Sequence, residues 1–113
     1  MRAALVPTVL TAVLAGLAPA GALGQAQEIA PELWDRPRSA ADVAGQETVK
    51  RAVLAALAKP ESRIVIHHAA GQEPLIQAEE LRSWLGALAV DARRVVLRGD
   101  LAAGTPLKIE VIP

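Results

Sequence analysis

The 113-residue sequence has no cysteine, tyrosine or phenylalanine, and only one methionine. Without cysteine there is no disulfide framework, no thiol nucleophile, no cysteine-based metal site and no residue to carry a lipoprotein anchor. The only aromatics are Trp34 and Trp84, so any core must be built mostly from Leu, Val, Ile and Ala. An excess of either charge is also missing: 12 basic and 12 acidic residues give a net charge of zero. Nucleic-acid binding needs a basic patch, and an anionic membrane surface attracts basic clusters. The neutral balance gives neither, so no nucleic-acid partner is expected.

What is present begins at the N-terminus. Met1-Arg2 is a short positive start, and an apolar run from Ala3 to about Leu17 follows, interrupted by Pro7, Thr8 and Thr11. Pro19, Gly21 and Gly24 then break it with small, helix-disfavouring residues. This order of charge, apolar stretch and small-residue exit is the pattern of a secretory signal peptide. Ala22-Leu23-Gly24 places small side chains one and three residues before a cut ahead of Gln25; exits after Ala20 and Ala26 also fit. An uncleaved anchor is the alternative, since a span needs about 20 apolar residues and Ala3 to Leu23 nearly supplies them. With residues 1–24 read as the signal peptide, 89 of the 113 remain, enough for one domain and not two. Arg2 is the only charge removed, leaving a product of net charge −1. The expected location is periplasmic or secreted, with no stable membrane anchor after cleavage.

In the remaining chain, residues 25–45 read as a leader and a first short strand, and 46–113 as the rest of a single domain. Gln25 to Pro31 is expected to be flexible and Glu32-Leu33-Trp34-Asp35 to form the strand. Pro37 makes Arg36 to Ser39 a turn or loop. Val49, Ala52, Val53, Ala56 and Leu57 recur at helical spacing within Gln46–Lys59, and Pro60 stops that helix. Arg63 to His68 is short, β-branched and apolar on both faces, a central strand. Ala69 to Pro74 is expected to be a loop. Ala78, Leu81, Trp84, Leu85, Leu88 and Ala89 then mark one face of a second helix. Val95 to Arg98 is another strand, Gly99 to Pro106 a loop, and Leu107 to Ile112 alternates as a half-buried strand. The β-α-β-α-β-β order predicts an α/β two-layer sandwich, with two helices on one face of a small mixed sheet.

With that layout, residues 33–112 resemble the OmpA-like (OmpA/MotB C-terminal) domain family of bacterial envelope proteins. Leu33-Trp34-Asp35 with Ser39-Ala40-Ala41 is similar to the family's first strand and "DSAAL" turn. Val53 to Leu57 with Pro60 and Arg63 to Ile66 is similar to its first helix and second strand. His68 falls at the His of "GHTD", Asp91-Ala92-Arg93-Arg94-Val95 is similar to "DASRV", and Ile109-Glu110-Val111 to the closing strand. The resemblance implies the fold and an envelope setting. In the family, an Asp in "GHTD" and an Arg opening the second helix grip the diaminopimelate of peptidoglycan. Here Ala70 and Gln77 stand at those positions, the loop between them is shorter, and Pro106-Leu107-Lys108 replaces "NRR". A zwitterionic group wants a bidentate Arg and a carboxylate, which Ala and Gln do not supply. Peptidoglycan binding is therefore not carried over, and the partner implied is another envelope protein.

Candidate chemistry is sparse. His67 and His68 are the only histidines; neighbours on a strand point to opposite faces, so they do not chelate one metal. His68 sits at the strand's exit, and a small hydrolase using it with a nearby acid is one alternative function. The serines beyond the signal segment, Ser39, Ser62 and Ser83, lie in no glycine-flanked nucleophile elbow, as a hydrolytic triad would want. No catalytic residue, cofactor or metal is assigned, and the domain is expected not to be an enzyme. Arg98-Gly99-Asp100 spells an integrin-recognition tripeptide, but Gly and Asp suit a turn for backbone reasons, so it is given no recognition role. Exposed Trp and Arg are enriched at binding hot spots. Trp34, Arg36, Arg38 and His68 are therefore the candidate partner-binding residues. A peptidoglycan-associated protein that binds through non-standard residues, such as Arg36 and Arg38, is the other alternative.

Overall fold

The computed structural model describes residues 24–113; the expected signal segment, or anchor, lies outside the described residues except for Gly24. The elements are β1 (Gln27–Glu28), a 3₁₀ turn (Pro31–Asp35), α1 (Ala40–Ala44), α2 (Glu47–Ala58), β2 (Arg63–Ala69), α3 (Gln72–Ala87), a second 3₁₀ turn (Ala92–Arg94), β3 (Val95–Leu101) and β4 (Lys108–Ile112). The sheet order is β1-β4-β2-β3. β2 runs parallel to β3 and antiparallel to β4, and β1 is antiparallel to β4. Ile64, Ile66, Val95, Leu97, Ile109 and Val111 alternate onto one sheet face and pack with Val49, Ala52 and Ala56 of α2 and Ala78, Leu81 and Leu85 of α3. The result is the expected two-layer α/β sandwich with a mixed sheet and helices on one face.

Four local expectations are corrected. The first strand is not Glu32–Asp35 but Gln27–Glu28, inside the segment expected to be flexible. Ile29 explains the switch: it is fully buried, and its N–H donates to Leu107 O at 2.8 Å. Pro31 then sits at the start of a helical turn, where its fixed φ is suitable and its missing N–H costs nothing, so 31–35 coils instead of extending. The stretch expected as a loop to Pro74 is helical from Gln72. Pro74 lies in the first turn, where the N–H has no helical partner to lose. Gly71 caps this helix at φ 119°, a region that disfavours a side chain. The loop expected from Gly99 begins only after Leu101. Leu57, expected on the inner stripe, is 47% exposed; it lies roughly 80° around α2 from Val49, at the stripe's edge.

Helix ends are closed by side chains and by one strained residue. Ser39 and Asp42 form a reciprocal capping box on α1, with both bonds 3.1 Å. Arg94 reaches back to the end of α2, donating to Ala56 O at 2.8 Å, Lys59 O at 2.9 Å and Ser62 O at 3.0 Å. Within the chain's backbone Ala56 O takes a 3.3 Å bond from Lys59 N–H and Lys59 O a 2.9 Å bond from Ser62 N–H. Arg94 adds a second donor to each, and a cation suits the negative end of the dipole. Beyond α3, Ala89 adopts φ 78° while Val90 N–H bonds Leu85 O at 2.9 Å. This is a Schellman-type ending whose left-handed position is normally glycine.

Candidate functional site

The 3₁₀ turn and the first turns of α3 face each other across a surface cleft of about 500 Å³, lined by Trp34, Arg38, Gln72, Glu73, Ile76, Gln77 and Glu80. A second cleft of about 260 Å³ shares Trp34, Glu73 and Gln77 and is closed by Pro31, Asp35, Pro106 and Leu107. The half-buried Trp34 thus borders both. Leu33, beside it in the turn, is the buried anchor that fixes its position.

Arg38 and Glu80 hold the wall of the larger cleft. Arg38 Nη2 donates to Glu80 Oε1 at 2.9 Å, and its Nε donates to Oε2. This is the bidentate fork that gives Arg–carboxylate pairs their geometric specificity. The guanidinium carbon lies 5.1 Å from the centre of the Trp34 ring, within cation–π range. Trp84 Nε1 donates to Glu80 Oε2 at 2.9 Å, and Arg38 Nη1 donates to Arg36 O at 2.8 Å. Trp34, Arg38, Glu80 and Trp84 therefore form one chain of contacts from the turn to the helix. The hydrogen bond from Arg38 holds the Glu80 carboxyl below its ordinary range, outweighing the opposing effect of burial. A glycosidase acid needs a carboxyl kept protonated near neutrality; Glu80 is biased the other way.

A second constellation lies on the sheet face away from the helices. His67 Nδ1 is 2.9 Å and 3.0 Å from the two carboxylate oxygens of Asp100, and its Nε2 is 2.8 Å from Glu110 Oε1. A carboxylate only accepts, so both contacts are hydrogen bonds together only in the imidazolium form, where both ring nitrogens donate. Burial is the largest single influence and pulls the His67 pKa down. The hydrogen bonds to Glu110 and Asp100, with their charges, together outweigh it, so the net shift is upward. The hydrogen bond to His67 lowers the Asp100 pKa. Between the pairs His67–Arg98 and Ala69–Leu101, β3 places two residues, Gly99 and Asp100, where β2 places one, His68, a bulge that includes Asp100.

Of the four residues expected from the sequence, Trp34 and Arg38 come together at the larger cleft. Arg36 is exposed and lines a separate cleft of about 60 Å³ with Leu33, Pro37, Arg38, Asp42 and Gln46. His68 joins none of these clefts: it is 9% exposed, with Nδ1 donating to Ala69 O at 2.9 Å. A Cβ on Gly99 would lie 3.0 Å from His68 Cε1, so glycine there makes room for the ring. The Gly and Asp of the Arg98-Gly99-Asp100 tripeptide therefore serve His68 and His67.

The sequence reading missed Glu80, Glu73 and Glu110. Glu79 and Glu80 are adjacent acidic residues outside the apolar face named for that helix, and nothing local singles out Glu80 as the partner of an arginine 42 residues away. Ser39 caps α1, and Ser62 donates to Lys59 O at 2.7 Å while accepting from Arg94. Among the described residues no three His, Asp or Glu side chains gather to hold a metal ion; the two His67 nitrogens face different carboxylates. No described helix is long and apolar enough to cross a membrane. Compared with protein-family models, with curated proteins and with solved structures, the chain matches none.

Proposed function

We propose that this chain is an exported cell-envelope protein whose folded part is a non-catalytic binding or scaffolding module of the OmpA-like kind. The observation that carries the binding role is the cleft at Trp34, with its wall held by the Arg38–Glu80 fork and by Trp84. A side chain already fixed by a bidentate pair loses little freedom when a partner arrives, which favours affinity. The polar lining is Arg, Glu and Gln, without a nucleophile-and-base pair. Export is supported by the charge, apolar run and small-residue exit of residues 1–24. The OmpA-like reading is supported by the resemblance from Val53 to Val111, with helices on one face of the β4-β2-β3 part of the sheet; its first-strand match at Leu33 to Asp35 falls on the 3₁₀ turn instead.

Two features weigh against the alternatives. Arg38, offered as a peptidoglycan contact, is engaged by Glu80, which leaves Arg36 alone. His68, offered as a base, is buried with one nitrogen committed to Ala69 O.

The test is fractionation of cells making the full chain with a C-terminal tag, followed by N-terminal sequencing. The expected result is a soluble envelope species that begins near Gln25 and is not retained by isolated sacculi. A cytoplasmic, full-length product would end the export reading. Salt-resistant retention that muropeptides compete would replace the partner with peptidoglycan.

A further inference from the structure

The two clefts at Trp34 are not neutral, and their charge narrows what they accept. Their charged lining residues are Arg38, Glu80, Glu73 and Asp35. Arg38 and Glu80 neutralise each other through the fork. Glu73 and Asp35 have no ion-pair or hydrogen-bonding side-chain partner among the described residues, and both are exposed. The paired clefts therefore present two uncompensated carboxylates next to an indole. Glu73 borders both clefts and Asp35 the smaller one.

The indole is suited to a cation. Its ring already takes the Arg38 guanidinium at 5.1 Å, and Arg38 lines only the larger cleft. The smaller cleft is lined by Trp34 with the apolar Pro31, Pro106 and Leu107, and by the polar Asp35, Glu73 and Gln77. An aliphatic stem bearing a positive head matches that surface: the stem packs on the prolines while the head reaches the carboxylates. An anion would be repelled there, because like-charge juxtaposition suppresses wrong partners. The larger cleft adds Gln72 and Gln77, whose amides both donate and accept, as a peptide backbone requires.

Building on the binding-module reading, we infer that these clefts take a lysine- or arginine-bearing peptide segment of a partner protein. The basic side chain lies against Trp34 between Asp35 and Glu73, and flanking residues run into the larger cleft along α3.

The experiment is a titration of the ¹⁵N-labelled, processed protein, followed through the Trp34 and Trp84 indole signals. Three probes are used: a capped alternating lysine–alanine peptide, its glutamate–alanine counterpart, and free cadaverine. The expected result is that the lysine peptide moves the Trp34 signal, that added salt weakens the effect, and that the glutamate peptide does nothing. Asp35→Asn with Glu73→Gln should weaken lysine-peptide binding by about tenfold; both are surface changes, and an unchanged melting temperature establishes that the fold is kept. Equal binding of the glutamate peptide, or unaltered affinity in the double variant, would overturn the charge inference while leaving a binding module. Cadaverine binding as well as the peptide would replace the peptide with a free amine. No response of Trp34 to any probe would remove both the inference and the site on which the module reading rests.

Discussion

Two ion networks cross this domain, one on each side of the sheet. On the helix side, Arg38 and Glu80 join the turn that follows β1 to α3, with a tryptophan at either end. On the open side, His67 joins β2 to Asp100 of β3 and Glu110 of β4. Both are long-range: 42 residues separate Arg38 from Glu80, and 43 separate His67 from Glu110. They differ in what they use for charge. Arginine stays charged at any ordinary pH, so the cleft wall is constant. Histidine is charged only below its pKa, so the link across the three strands is conditional. Rigidity near the cleft and titration on the opposite sheet face are thus kept apart.

The largest expected effect comes from removing the hub of the constant network. Glu80→Ala leaves the Arg38 fork and the Trp84 N–H without their acceptor. The side chains of the pair are 23% and 30% exposed, so solvent screens part of the loss. The melting temperature should fall by roughly 5–10 °C, and by the same amount at pH 6 and at pH 9. A variant that melts like the parent would mean that the fork adds nothing to folding.

The next effect separates the two networks by pH. The His67 pKa is raised in the folded protein, so its contribution is full below the unfolded value of about 6.5. That contribution is lost as pH rises through the folded value. The melting temperature should therefore decline on going from pH 6 upward through that value, and His67→Gln should flatten the decline. Asp100 has the opposite sign: its lowered pKa adds stability above the ordinary value of 3.8 that is lost as pH falls through the folded value. A melting temperature that rises with pH above 6, or a decline that persists in His67→Gln, would break the contrast.

The smallest effect is a control outside both networks. Ala89 holds φ 78° at the end of α3, which costs an L-residue about 1 kcal/mol and glycine little. Ala89→Gly should raise the melting temperature by about 4 °C at every pH tested. A pH-dependent gain would show that the helix end and the His67 network are coupled.

Much of the architecture could be read in advance. Val49, Ala52 and Ala56, then Ala78, Leu81 and Leu85, repeat at helical spacing and are buried as that spacing requires. Lys108 to Ile112 alternates and is buried at every second residue. Pro60 does follow the end of α2. Pro31 and Pro74 closed stretches expected to be a flexible leader and a loop, yet each stands in the first turn of a helix, where the lost N–H has no partner anyway. The two-residue β1 was too short for any periodicity to reveal; its partners on β4 define it.

The site was legible only in part. Trp34 and Arg38 stood out by type. Their neighbours did not, because Glu80 is one acidic residue among several on α3 until the turn packs against that helix. Sequence alone determined the layers, since burial periodicity is a local property of spacing and side-chain type. It also excluded disulfides and thiol chemistry, since there is no cysteine. Tertiary structure alone decided which charges meet. Strand register and the β3 bulge set Asp100 and Glu110 on either side of His67, and the packing of the turn on α3 brought Arg38 to Glu80. Pairing depends on three-dimensional placement to within a few ångströms, because that is the range over which a hydrogen bond or ion pair acts.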